Sequence, residues 1–352
     1  MYKVLGIETT CDETAVAVVS DGREILSNVV ASSADIHERY GGVFPELASR
    51  RHAESILPVV IEALEKANTS PSDIDLIAVA KGPGLIGSLL VGMQFAKGLA
   101  IAWNKPWIGV NHVEAHLYAA MMHQTAPSFP ALGLVLSGGH TLLLKINDLG
   151  NYSQIGTTVD DAIGEAFDKV AALLGLPYPG GPHVEKIAQK GVPTRYPLKA
   201  GHVKKSPLDF SFSGLKTSVL YAAKGQNGEA AKILSETEKA DLAASFQETA
   251  FQDVISKASL AAKQFPCKAI YLGGGVCNNR RLRGLFREAF PTLPVHFPPF
   301  ELTLDNGAMI AGLGYHQFRQ NPVSDPLDLE CKTRNCLKQG FPAILQATQK
   351  ME

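Results

Sequence analysis

The sequence predicts an α/β protein of two lobes, with a duplicated β-hairpin-bearing core and a nucleotide cleft. Three observations carry this. A strand, a polar turn and a second strand open the chain from Lys3 to Val19, and the same form returns from Ala131 to Ile146. Strand-like and helical segments alternate around the two hairpins. With 352 residues, 45% hydrophobic and 19% charged, the chain is long enough for two sizeable cores and short for three. The expected division is a first lobe over 1–128, a second lobe with a helical insertion over 129–320, and a tail over 321–352.

In the first hairpin, Val4, Leu5 and Ile7 lead into Glu8-Thr9-Thr10-Cys11-Asp12-Glu13-Thr14, an acidic and hydroxylated tip that suits a phosphate or a metal ion. Apolar residues at helical spacing follow from Pro45 to Lys66, and again from Gly87 to Trp103. Between these helices Ile74 to Lys81 reads as a buried strand, stopped by Gly82-Pro83-Gly84. Pro106 to Val110 is a short strand that delivers His112 and His116 at a helix start. The second hairpin turns through Ser137-Gly138-Gly139-His140-Thr141, where glycines let backbone N–H groups close on an anion. Asp160 to Val170 is expected to be helical, and Pro177 to Pro182 a rigid turn. Ser235 to Ala262 is a long amphipathic helix. Ala269 to Arg283 reads strand, glycine turn and helix start, where a nucleotide can approach the backbone and Asn279 offers a side-chain partner.

His112 and His116 are one helical turn apart and leave the same face, so they read either as half of a metal site or as one packed and one solvated histidine. Glu114 lies between them and points elsewhere, unlike the glutamate of HExxH metalloproteases. Asp305 opens a small-residue helix and reads either as its N-cap or as the third ligand.

Composition excludes several classes. The N-terminus is not a secretory signal and no apolar run is expected to span a bilayer, which predicts no membrane and a cytoplasmic protein. Cysteines at 11, 267, 277, 331 and 336 are odd in number and scattered, which argues for reduced cytosol; Cys331 and Cys336 read as free thiols. A net charge of −1 gives no overall attraction to nucleic acid, so any RNA contact must be local. Arg195, Lys199, His202, Lys204 and Lys205, with Tyr196, form a basic stretch that reads equally as such a contact or as a solvated loop.

Six ordered motifs together resemble one family across nearly the whole chain: Gly6-Ile7-Glu8-Thr9-Thr10-Cys11-Asp12-Glu13-Thr14, His112-Val113-Glu114-Ala115-His116, Ser137-Gly138-Gly139-His140-Thr141, Gly164-Glu165-Ala166-Phe167-Asp168-Lys169, Pro179-Gly180-Gly181-Pro182 and Gly273-Gly274-Gly275-Val276-Cys277-Asn278-Asn279. The chain resembles the bacterial TsaD (Gcp) proteins, tRNA adenosine threonylcarbamoyltransferases of the actin/Hsp70/sugar-kinase-like (ASKHA) superfamily. The resemblance implies one divalent metal ion per subunit, iron or zinc, on His112, His116 and Asp305. It implies an adenylate or ATP-type nucleotide and substrate pocket lined by Val135, Leu136, Ser137, Gly138, Gly139, Asp168, Gly181, Glu185 and Asn279. Glu185 stands where the family often has another small polar or acidic residue, and Cys277 replaces a commoner small one.

The reaction it implies moves the threonylcarbamoyl group of threonylcarbamoyl-AMP to the exocyclic amine of adenosine 37 in tRNAs reading codons that begin with A. The products are N6-threonylcarbamoyladenosine and AMP. That amine is a poor nucleophile, so catalysis must position it and stabilise charge on the carbonyl and departing phosphate. Asp12 and Glu13 are the candidates to accept a proton or orient the donor. Implied partners are tRNA, a TsaB-like paralogue and a TsaE-like ATPase, with the first-lobe helices as docking face. The rival readings are an ATP-dependent small-molecule kinase of the same fold and a non-catalytic nucleotide-binding subunit.

Overall fold

The computed structural model describes residues 1–33, 37, 42–124, 126–224 and 234–334, and Cys336 lies outside them. The first sheet is built from β1 (Lys3–Glu8), β2 (Glu13–Ser20), β3 (Glu24–Ser32), β4 (Leu76–Gly82) and β5 (Trp107–Asn111), in the order β3-β2-β1-β4-β5. Here β1 and β2 are antiparallel, as are β2 and β3, whereas β4 and β5 run parallel to β1. The second sheet repeats the arrangement with β6 (Ala131–Leu136), β7 (Thr141–Asp148), β8 (Asn151–Thr157), β9 (Ile270–Gly273) and β10 (Val295–His296), in the order β10-β9-β6-β7-β8. β6 is antiparallel to β7 and parallel to β9, so β6 to β10 stand where β1 to β5 stand. The two hairpins are thus the corresponding parts of a duplicated, actin-like core.

Helices α1 (Pro45–Lys66) and α2 (Ile86–Trp103) cover the outer face of the first sheet. Alternation along β1 explains the layering: Leu5 and Ile7 meet α1 and α2, while Val4 joins the core between the sheets. On the outer face of the second sheet lie α4 (Ile163–Leu173), α5 (Gly180–Ala188), α6 (Ser213–Lys224), α7 (Glu236–Gln264) and α8 (Arg280–Ala289). In that core Phe167 meets Phe246 edge to face and stacks on Phe251, with ring centroids 4.9 and 5.4 Å apart. Such aromatic pairs add about 1 kcal/mol each beyond their buried area.

Two helices fill the middle. α3 (His112–Met121) follows the last strand of the first sheet yet packs on β6 and β9, and α9 (Gly307–Gln320) follows the last strand of the second sheet yet packs on β1, β2 and β4. Each lobe therefore covers the other. Close approach makes the exchange possible: a Cβ on Gly6 would lie 2.2 Å from the Gly307 carbonyl oxygen, and one on Gly273 would lie 2.3 Å from that of His116.

Residues 321–334 return along the free edge of β5. Asp325 N–H donates to Trp107 O at 2.9 Å, Gly109 N–H to Asp325 Oδ2 at 2.8 Å, Lys97 Nζ to Leu329 O at 2.8 Å and Lys332 N–H to Lys81 O at 2.8 Å. This blunts an edge that would otherwise present unpaired backbone groups.

Several expectations are corrected. α2, at 18 residues with a mean hydropathy of 1.4, is long and apolar enough by composition to cross a membrane, contrary to the reading that no run is. Its apolarity serves packing against β4 and α1, and buried Lys97 lies within it. The turn expected at Pro177–Pro182 ends in a helix, because prolines and glycines are tolerated in a first turn whose N–H groups need no helical partner. The helix expected from Asp160 begins at Ile163, and Asp160 instead accepts from the N–H groups of Phe212 and Ser213 at the start of α6.

Candidate active site

Asn111 sets up the centre of the site. Its side-chain oxygen accepts the N–H groups of Val113 and Glu114 at 2.9 and 3.2 Å, so β5 turns into α3 with His112 as the first helical residue. An asparagine does the same for α9: Asn306 accepts Met309 N–H at 2.9 Å. Asp305 is therefore not the cap, and its carboxylate is turned toward the two histidines. Asp305 Oδ1 lies 3.1 Å from His116 Nε2 and 3.7 Å from His112 Nε2. One ligand atom from each of His112, His116 and Asp305 falls within 4.8 Å of the others.

The donor set fits a transition-metal ion. Among the described residues neither ring nitrogen of buried His116 has a hydrogen-bond partner of good geometry, although Asp305 Oδ1 approaches Nε2 to 3.1 Å. A buried imidazole with two unused nitrogens beside a carboxylate is costly unless a cation takes the lone pair. His112 is already oriented. Its Nδ1 sits 2.9 Å from Glu8 Oε2 and 3.2 Å from Thr10 Oγ1, which frees Nε2 for the cluster. Burial lowers the His112 pKa, but Glu8 and Asp305 outweigh it and raise the group to about 9. Asp305, which burial alone would raise, is held below the usual carboxylate range by His112, His116 and His140. Burial, then His112 and His116, lowers His140 to about 4. Glu114 faces away and accepts from Gln317 at 3.4 Å, so the helix lacks the zinc-protease arrangement.

Asp12 and Glu13 occupy the tip between β1 and β2, both partly exposed. Burial first, then the carboxylates of Asp12 and Asp305, raises the Glu13 pKa. Across the cleft, Val135 and Leu136 are buried at the end of β6, followed by Ser137, Gly138 and Gly139. Ser137 O accepts Gly164 N–H at 3.1 Å and Ser137 Oγ accepts His140 N–H at 3.1 Å. Gly138 and Gly139 are exposed, and nothing lies within 4 Å of a Cβ built on either. Asp168 Oδ1 accepts Gly180 N–H at 2.7 Å and so fixes the start of α5, beside which Gly181 also faces open space. Burial raises the Asp168 pKa, opposed by the Gly180 and Gly181 N–H groups and helped by Asp12.

Like Ser137 and Asp168, Glu185 and Asn279 are engaged with the protein itself. Glu185 Oε1 accepts Arg280 N–H at 2.8 Å. Asn279 caps α8 through Leu282 N–H at 3.1 Å and donates to Gln247 Oε1 at 2.7 Å. Sequence reasoning names Glu8 and Thr10 only as part of an acidic tip, and it misses His140 as a neighbour of the cluster. The signal for Glu8 is an acid at a strand's end, but its partner is 104 residues away.

Comparison with known proteins identifies the family. A family model described as TsaD: tRNA N6-adenosine threonylcarbamoyltransferase matches residues 24–312. A curated relative from Protochlamydia amoebophila, named tRNA N6-adenosine threonylcarbamoyltransferase, is 56% identical over 337 residues, covering 95% of this chain and 98% of the relative. Among solved structures, HypF of T. kodakarensis aligns with a TM-score of 0.62 at 16% identity, over 90% of this chain and 48% of its own. Component A of the (R)-2-hydroxyglutaryl-CoA dehydratase of Acidaminococcus fermentans aligns with a TM-score of 0.53 at 15% identity, over 90% of this chain and 99% of its own. The structural likenesses speak to the two-lobed actin-like fold alone. The sequence match speaks to the enzyme, and on it the chain belongs to the TsaD family of tRNA N6-adenosine threonylcarbamoyltransferases.

Proposed function

We propose that the enzyme takes threonylcarbamoyl-AMP as donor and adenosine 37 of tRNAs reading codons that begin with A as acceptor. The adenosine N6 forms a bond to the carbamoyl carbon, the bond from that carbon to the phosphate oxygen of AMP breaks, and the amine gives up one proton. The observation that carries this reading is the converging His112, His116 and Asp305 group in a chain of this family. A divalent ion on these residues, iron or zinc, would supply Lewis-acid charge and a template for the donor's oxygens.

The remaining work falls to the chain. Glu8 and Thr10 hold the His112 ring, and the exposed Gly138 and Gly139 backbone offers N–H groups to the adenylate phosphate. Asp168 holds the Gly180–Gly181 turn against which the nucleotide rests, with Val135, Leu136, Ser137, Glu185 and Asn279 shaping the same wall. Asp12 and Glu13, on the tip between β1 and β2, are the carboxyl groups placed to accept the proton of the amine or to orient the donor.

The same reading assigns a TsaB-like paralogue and a TsaE-like ATPase as partners and the cytoplasm as compartment. Exposed Leu57 and Ile61 on α1, with Ile86 and Leu90 on α2, give the first-lobe helices an apolar face suited to the paralogue. The lobes are 1–128 and 129–320, with 321–352 as a tail. Purified chain incubated with threonylcarbamoyl-AMP and unmodified tRNA, with and without these partners, should yield modified adenosine by nucleoside mass spectrometry. Absence of product with all partners present would overturn the assignment, and phosphorylation of a small molecule would favour the kinase.

A further inference from the structure

The acidic tip carries two residues of the proposed reaction but is a turn between strands, and turns need fastening to hold a geometry. Among the described residues one side chain spans it. His52 of α1 is 1% exposed, and its ring bridges the residue before Asp12 and the residue after Glu13. Nε2 lies 3.0 Å from Cys11 O, and Nδ1 lies 2.8 Å from Thr14 Oγ1. A carbonyl oxygen only accepts, so Nε2 carries the hydrogen; in the neutral ring Nδ1 then accepts the Thr14 hydroxyl. Burial lowers the His52 pKa, in keeping with that neutral form.

The other contacts of the tip are weaker or lie to one side. Ser88 Oγ donates to the same Cys11 O at 3.3 Å, Ser33 Oγ donates to Asp12 O at 2.6 Å, and Leu85 N–H donates to Thr10 O at 2.9 Å. None of these joins the two flanks of the acidic pair.

We propose that His52 is a positioning residue for the transfer reaction, a clamp that closes Cys11 onto Thr14 and so presents the Asp12 and Glu13 carboxylates to the cleft. It rests on the reading that this tip takes part in the reaction. The two hydrogen bonds of the His52 ring reach neither the metal cluster nor the nucleotide wall, so its loss should leave both intact.

The test compares His52→Leu, which keeps bulk and removes both hydrogen bonds, with His52→Gln, whose amide N–H reaches toward Cys11 O. Steady-state transfer from threonylcarbamoyl-AMP to tRNA is measured for each, together with metal content and amide hydrogen exchange over residues 9–14. His52→Leu should lower kcat at least tenfold, change the donor KM less than twofold, retain metal and exchange faster over 9–14. His52→Gln should recover at least a third of native kcat. Should His52→Leu fail to fold, Thr14→Val removes one side of the clamp alone and should lower kcat about threefold or more.

Asp12→Asn and Glu13→Gln are run beside them. Impairment in either of these with native kcat in His52→Leu or Thr14→Val overturns the clamp and spares the tip. Equal loss in His52→Leu and His52→Gln also overturns it. Native kcat in both acid variants overturns the role of the tip itself, and the clamp with it.

Discussion

Glu8 Oε2 lies 2.9 Å from His112 Nδ1, and this contact turns the other ring nitrogen of His112 toward Asp305. A carboxylate behind a ligating histidine fixes its tautomer and raises its basicity, and loss of such a group commonly costs 10–100-fold in metal affinity. Glu8→Gln should therefore weaken metal binding by about 10–100-fold. Competition against a chelator of known affinity measures it, and an unchanged affinity would remove Glu8 from the site.

Changing His112 and His116 themselves should be more severe. The double variant His112→Ala, His116→Ala should lose tightly bound metal and most transfer activity while remaining folded, since the apolar face of α3 that holds the core is untouched. Asp305→Asn should weaken the metal as well. Elemental analysis showing full occupancy in either would refute the three-residue assignment.

The glycine turn makes a separate prediction. Gly138→Val and Gly139→Val should each lower affinity for a non-hydrolysable adenylate analogue at least tenfold, because a side chain there fills the open space over the backbone. Gly284→Val is the matched control, since its Cβ also meets nothing within 4 Å but lies on α8. Gly22 cannot serve as control: its φ of +77° and the nearby Tyr315 ring make substitution there a folding defect. Titration calorimetry with equal affinities in all three variants would move the phosphate elsewhere.

Lys199, Lys204 and Lys205 are all exposed, as an RNA contact requires. If each meets a phosphate, changing all three to alanine should flatten the plot of log K against log salt by about 2 to 3 in slope, since each lost contact releases one counterion fewer. Metal content and adenylate binding should not change. An unaltered slope with unaltered tRNA affinity would assign these lysines to solvated surface.

Acid stability should depend on Asp161, which lies 2.6 Å from Lys169 Nζ and 2.9 Å from Lys216 Nζ. Burial opposes ionisation, but the two lysines win and hold its pKa below the usual carboxylate value. With the folded pKa depressed, the contribution is complete above the unfolded pKa of about 3.9 and fades as pH falls through the lower folded value. Asp161→Asn should thus cost about 1 kcal/mol near neutrality, and the cost should vanish as pH falls below the depressed folded value. Thermal melts across pH that stay parallel for the two proteins would contradict this.

Much of this arrangement is legible in the amino-acid order. Short apolar runs on either side of a polar turn mark both hairpins, and the helical spacing of Pro45 to Lys66 matches the bounds of α1. The two histidines stand out because a helix places positions four apart on one face. What stays hidden depends on contacts between distant positions. Asp305 and Asn306 are adjacent and either can cap a helix, so only the fold shows that Asn306 does so and leaves Asp305 to the histidines. His52 is an ordinary member of a helical pattern until Cys11 and Thr14 are seen against its ring. The turn at Pro179-Gly180-Gly181-Pro182 hides a helix because breaking residues are also the ones a first turn accepts.

The exchange of α3 and α9 between the lobes has a mechanical consequence. His112 and His116 head one exchanged helix and Asp305 precedes the other, so the three side chains stand at the fulcrum of the molecule. The lobes cannot swing apart as free jaws without pulling a helix off the opposite sheet, which leaves twisting about this fulcrum as the cheap motion. Because Asp305 leads into one exchanged helix and the two imidazoles sit on the other, a shift of one helix against the other would change the 3.1 and 3.7 Å spans between them.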